Sequence, residues 1–122
     1  MAMTLRALRG ATTVDADTPE QITQRTTELL EAMMGANGAA EADLVSVLFT
    51  TTPDLTSMFP AAAARTIGLG AVPLLCATEI NVPGSMPLCI RVLAHLYTER
   101  PRDELNHVYL HGTKGLRDDL PG

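Results

Sequence analysis

Four side chains stand out for the chemistry they could perform. Arg91 lies inside the apolar stretch 88–96, where an unpaired charge is costly. Arg9 precedes a glycine at what reads as a strand end, and Glu79 follows the apolar run 71–77 by two residues. Tyr109 sits in a segment of alternating polarity, His107-Val108-Tyr109-Leu110. Two guanidiniums can grip planar anions bidentately, and a carboxylate and a phenol add an acceptor and a second donor. Each residue also has an ordinary structural reading. Arg91 could be a buried structural ion pair, with Glu79 a candidate partner. Arg9 could be a solvated strand end, Glu79 a loop acid and Tyr109 a half-buried strand aromatic.

Other chemistries find less support. No nucleophile elbow, Walker loop or dinucleotide fingerprint occurs. Two cysteines, Cys76 and Cys89, are too few for a disulfide scaffold or a four-ligand zinc site. Cys76 has no neighbouring basic group in sequence to lower its pKa, so a packed thiol is expected. His95, His107 and His111 are dispersed. On a strand the last two would share a face about 13 Å apart, so no metal site is expected.

Composition narrows the classes further. The chain has 122 residues, 9 basic against 14 acidic, and a formal net charge of −5. That length suits one domain, 1–122. The acidic balance and only four aromatics argue against nucleic acid, which needs concentrated positive charge and stacking surfaces. No apolar run approaches a membrane span, and Arg6 and Arg9 interrupt the N-terminal stretch where a signal peptide would need apolar residues. A cytoplasmic, thiol-reduced protein that binds no membrane is expected. Eight of the nine basic residues are arginine, a bias that suits either genome composition or recognition of planar anions.

The elements that must position these residues are readable in outline. Residues 3–14 open with a strand alternation. Thr18-Pro19-Glu20-Gln21 is a helix start with a Thr-x-x-Gln capping box. Ile22, Leu29, Leu30, Met33 and Met34 continue that helix to Gly35 and Gly38. Residues 44–50 and 72–77 read as buried strands, and Pro60 opens a short Ala-rich helix closed by Gly68 and Gly70. Residues 89–98 fit helix or strand, with Ile90 and Val92 favouring strand. A helical turn is expected at 101–106 and a strand at 107–111. The order β-α-β-α-β-β-β implies one mixed sheet with helices mostly on one face, an α/β (α+β) fold. Two helices cover one face only, so an oligomer covering the other is a natural consequence. Residues 112–122 read as a polar, mobile tail.

Several blocks occur together in order: Arg9-Gly10-Ala11-Thr12-Thr13-Val14, Thr52-Pro53-Asp54-Leu55, Phe59-Pro60-Ala61, Val82-Pro83-Gly84-Ser85 with Pro87-Leu88-Cys89-Ile90-Arg91-Val92, and His107-Val108-Tyr109-Leu110. In this the chain resembles the monofunctional, trimeric α/β chorismate mutases, a family distinct from the all-helical mutases. The resemblance runs from about Leu5 to Leu120.

The resemblance implies a homotrimer, a pseudo-α/β-barrel with sites between subunits. It implies a [3,3] rearrangement of chorismate to prephenate on the route to Phe and Tyr, with no metal or organic cofactor. By similarity Arg91 meets the ether oxygen and a carboxylate, Arg9 a carboxylate, and Glu79 the ring hydroxyl near the cationic ring fragment. Tyr109 binds a carboxylate. Cys76, in the same strand end as Glu79, lines the pocket near that hydroxyl, Leu75, Ala77 and Thr78 count with the substrate-binding residues, Phe59 and Leu116 supply apolar walls, and Arg65 and Arg117 stand at the mouth. The chain departs from the family pattern at Ala62, where Lys is frequent, at Leu75, where some members have Thr, and in the tail 116–120. An alternative of similar architecture is a trimer that binds small carboxylates between subunits, like the reactive-enamine deaminases.

Overall fold

The elements follow in the expected order. They are β1 (Thr4–Thr13), α1 (Pro19–Ala36), β2 (Leu44–Thr51), α2 (Pro60–Thr66), β3 (Leu74–Thr78), β4 (Cys89–Thr98) and β5 (Val108–Tyr109). The computed structural model describes residues 2–115. One sheet has the strand order β3-β2-β4-β1-β5. Its central strand β4 runs antiparallel to β1 and β2, while β3 joins β2 and β5 joins β1 in parallel. Among the described residues no helix is long and apolar enough to cross a membrane.

Period-2 alternation divides the sheet into two faces. Leu8, Val47, Phe49, Ile90, Val92, Ala94 and Leu96 face the helices and are buried. All but Ile90 pack against Leu29, Leu30 and Met33 of α1 and Ala61 and Ala64 of α2, while Ile90 joins Val14, Ile22 and Leu55. Leu5, Leu93 and Tyr97 point the other way and remain substantially exposed.

Local chemistry sets the helix ends. The Thr18 hydroxyl accepts from Gln21 N at 3.1 Å, and Pro19 occupies the first turn. Only half of the expected capping box forms, because the Gln21 side chain accepts from Asp15 N instead. Gly35 does not end α1. The helix runs to Ala36, where the Asn37 side-chain amide donates to Met33 O at 2.7 Å and so replaces the lost helical donor. Gly38 then takes the left-handed conformation, φ +60°. Arg25, with no role expected from sequence, ties α1 to the β1 exit through Thr13 O and Asp15.

Four further expectations are corrected. The strand expected at 72–77 begins at Leu74 and is not buried: β3 is an edge strand, and Leu75 is 60% exposed. Gly10 is not at a strand end, since β1 continues to Thr13. The strand expected at 107–111 is two residues long, because His111 has φ +52° and opens a 3-10 turn through Thr113. That turn is anchored, unlike the free tail expected from residue 112. The buried Thr113 hydroxyl donates to Ala11 O at 2.9 Å.

Candidate active site

Register brings the singled-out residues together. On the uncovered face Arg91 of β4 lies between Ala11 of β1 and Thr50 of β2. Tyr109 of β5 flanks Ala11, and Ala77 of β3 flanks Thr50. One row therefore crosses all five strands: Tyr109, Ala11, Arg91, Thr50, Ala77. Arg9, Leu93 and Leu48 form the next row on that face. The small Ala11 leaves room between the two large polar side chains. The result is a cavity of about 290 Å³ lined by Arg9, Ala11, Leu48, Thr50, Glu79, Arg91, Leu93 and Tyr109, among others.

Glu79 lies just beyond β3. Its N–H donates to Thr51 O at 2.8 Å, which carries the strand pairing one residue further. Its Oε2 accepts from the Thr50 hydroxyl and stands 4.0 Å from Arg91 Nε. That separation is a charge contact but too long for a hydrogen bond. Neither partner is deeply buried, with the side chains 42% and 29% exposed for Arg91 and Glu79. Arg91 is thus not locked in the buried pair that its apolar neighbours suggest. Its strand alternates, and its guanidinium emerges on the uncovered face. The Nε atoms of Arg91 and Arg9 are nevertheless inaccessible to solvent and lack a hydrogen-bond partner among the described residues.

Backbone anchors hold these groups. His107 Nδ1 accepts from Arg9 N at 2.9 Å, joining the approach to β5 to β1. Burial, reinforced by the nearby Arg9 charge, holds the His107 pKa below its ordinary 6.5. Asp54 accepts from Leu88 N at 3.0 Å and from the Thr52 hydroxyl, which itself accepts from Cys89 N at 3.0 Å. This fixes Leu88, at φ +52°, and the start of β4 two residues before Arg91. Burial pushes the Cys89 thiol pKa up, and the neighbouring Arg91 charge opposes that rise.

The remaining site candidates are placed elsewhere. Phe59, Cys76, Ala77 and Thr78 line a separate groove of about 470 Å³ with Ala62, which shares no lining residue with the first. Cys76 therefore does not adjoin Glu79 in one pocket, as its position in the same strand end suggests. Alternation turns it toward the helix layer, opposite Phe49. Leu75 lines neither pocket, and Arg65 is exposed at the end of α2. Leu116 and Arg117 lie outside the described residues. Asp17 secures the loop before Phe59, accepting from the N–H and hydroxyl groups of both Thr56 and Ser57. The Ser57 hydroxyl is the main cause of its lowered pKa. Sequence reasoning gave no role to Thr50, Asp17, Asp54 or His107. Alternation alone places Thr50 on the face of Leu48, but only the register sets it against Arg91.

A family model described as chorismate mutase type I matches residues 5–120. The chain belongs to the chorismate mutase type I family. It is 55% identical to the chorismate mutase AroH of Thermus thermophilus over 117 residues, covering 95% of this chain and 96% of that protein. It is 44% identical to the chorismate mutase AroH of Bacillus subtilis over 119 residues, covering 97% and 94%. The solved chorismate mutase from Clostridium thermocellum superposes with a TM-score of 0.88 at 46% identity, over 89% of this chain and 97% of that one. Membership in this family removes the deaminase-like alternative.

Proposed function

We propose that the cavity of Arg9, Glu79, Arg91 and Tyr109 is where this chain converts chorismate to prephenate. The reaction breaks a C–O bond and forms a C–C bond in one concerted electron shift, with no proton transferred. It needs the enolpyruvyl arm held over the ring in a reactive geometry. It also needs stabilisation of the negative charge growing on the ether oxygen and the positive charge growing on the ring.

The observation that carries this reading is the pair of inaccessible, unpartnered Nε–H donors of Arg9 and Arg91 beside one cavity. Unbonded donors already in place need no reorganisation when charge develops. In this reading Arg91 bonds the ether oxygen and a carboxylate. Arg9 and Tyr109 hold carboxylates and so fix the arm. Glu79 accepts from the ring hydroxyl and faces the cationic fragment.

The Phe59, Cys76, Ala77 and Thr78 groove completes the pocket in our proposal when it comes from a neighbouring subunit. Within one chain the two sets line separate cavities. A homotrimer with interfacial sites joins them, covers the exposed Leu5, Leu75, Leu93 and Tyr97, and brings Arg65 toward the mouth. Ultraviolet absorbance of chorismate gives the test. Arg91→Ala should lower kcat at least 100-fold, the scale of about 3–4 kcal/mol for removing one transition-state donor. A rise in KM at unchanged kcat would assign Arg91 to uniform binding of ground and transition state and defeat the proposed role.

A further inference from the structure

Thr50 has a position that the reaction chemistry alone does not call for. It stands directly opposite Arg91 in the β2–β4 ladder. Its hydroxyl donates to Glu79 Oε2, the same oxygen that lies 4.0 Å from Arg91 Nε. That Nε is inaccessible and without a hydrogen-bond partner among the described residues. A carboxylate this near a guanidinium ordinarily closes to a charge-assisted bond of about 2.7–2.9 Å. Here it does not, and the group bonded to the oxygen instead is the Thr50 hydroxyl.

We infer that Thr50 is a positioning residue that holds the Glu79 carboxylate off Arg91 and keeps the Nε–H free for substrate. The inference depends on the proposed roles of Arg91 and Glu79 and adds a control on them. An Arg91–Glu79 bond would satisfy both groups internally, and the substrate's ether oxygen would then have to displace a charged partner. The Thr50 hydroxyl satisfies one carboxylate oxygen without neutralising the guanidinium. The negative charge stays near the ring site while the positive donor stays unbonded. The backbone bond from Glu79 N to Thr51 O limits the carboxylate to side-chain rotation, so one hydroxyl can set its direction.

The test uses the near-isosteric Thr50→Val, which keeps the β-branched shape a strand favours. Expected is a fall in kcat of ten- to a hundredfold with KM changed less than about fivefold, and an unchanged thermal midpoint. Thr50→Ser, which restores the hydroxyl, should recover at least a third of the wild-type kcat. The decisive comparison is made in Glu79→Gln, where the neutral amide has no charge to collapse onto Arg91. There Thr50→Val should lower kcat less than twofold further. An equal loss in both backgrounds would show that Thr50 acts through the sheet or the substrate and would overturn the inference. So would a wild-type kcat in Thr50→Val alongside a collapsed Arg91→Ala. A near-normal Arg91→Ala would instead defeat the site assignment itself. Should Thr50→Val fold poorly, Thr50→Ala carries the same cycle.

Discussion

Gly10 separates Arg9 from Ala11 in the middle of β1, and the helix layer presses on it from the core side. A Cβ built at Gly10 would stand 2.4 Å from Met33 Sδ, 3.1 Å from Met33 Cε and 3.2 Å from Leu29 Cδ1. Comfortable contacts begin near 3.5 Å, so Gly10→Ala must displace the Met33 sulfur by more than about 1 Å. Met33 is only 2% exposed and Leu29 is fully buried, so the displaced atoms have little free volume to enter. Overpacking of this kind costs about 1–3 kcal/mol. Relief of the glycine's backbone entropy returns about 0.5–1 kcal/mol. The middle of the two ranges leaves a net loss of about 1 kcal/mol, which lowers Tm by roughly 4 °C at this chain length. Calorimetry at one fixed protein concentration is the assay, because any assembly makes Tm depend on concentration. Met33→Ala supplies the control. It is destabilising by itself, but Gly10→Ala added to it should be neutral or stabilising. Wild-type stability in Gly10→Ala, or the same loss with and without Met33, would refute the steric account of the Arg-Gly-Ala motif.

The His107 pKa lies below its ordinary 6.5 in the fold, through burial and the Arg9 charge. The unfolded chain therefore binds more protons in the window between the native value and 6.5, and stability falls as pH drops from about 7 through that window. His107→Gln keeps an acceptor for Arg9 N and should flatten this part of the Tm–pH curve. An unchanged slope would refute His107 as the group that sets it. The assembly proposal is checked by light scattering: a mass near 39 kDa, about three times 13.0 kDa, is expected. A mass near one chain in fully active samples would place the whole site within a single subunit.

Much of the fold was legible because its signals are local. Thr18 and Pro19 start α1, alternation marks β1, and the β-branched Ile90 and Val92 tip the otherwise ambiguous 89–98 to strand, where β4 spans Cys89–Thr98. The exposure of β3 was not legible, because an apolar run such as Leu74-Leu75 does not reveal whether its cover comes from the same chain. The limits of β5 failed for a different reason. His111 takes a left-handed turn so that Thr113 can reach Ala11 O, a contact between residues 102 apart in sequence. The site divides in the same way. Arg9, Glu79, Arg91 and Tyr109 could be selected from motifs, and the register places them around one cavity. Thr50 reads in sequence as one more β-branched strand residue. Its importance depends on lying opposite Arg91 and below Glu79, which only the pairing of three strands decides.

The location of the site explains how an acidic chain can keep two arginines ready for an anion. A guanidinium inside the helix-covered core would need a fixed counter-charge, and removing such a charge from water is costly unless it is paired. On the uncovered face Arg91 retains solvent at its tip while its Nε lies shielded against the sheet. In the proposed reading its full desolvation is deferred until substrate carboxylates arrive to compensate for it. Among the described residues the acid that lines this cavity, Glu79, is tied to Thr50. The acidic excess lies elsewhere, in groups such as Asp17 and Asp54 that are consumed in holding loops. A net charge of −5 is thus compatible with a local cationic pocket, because among the described residues two arginines and one acid line it.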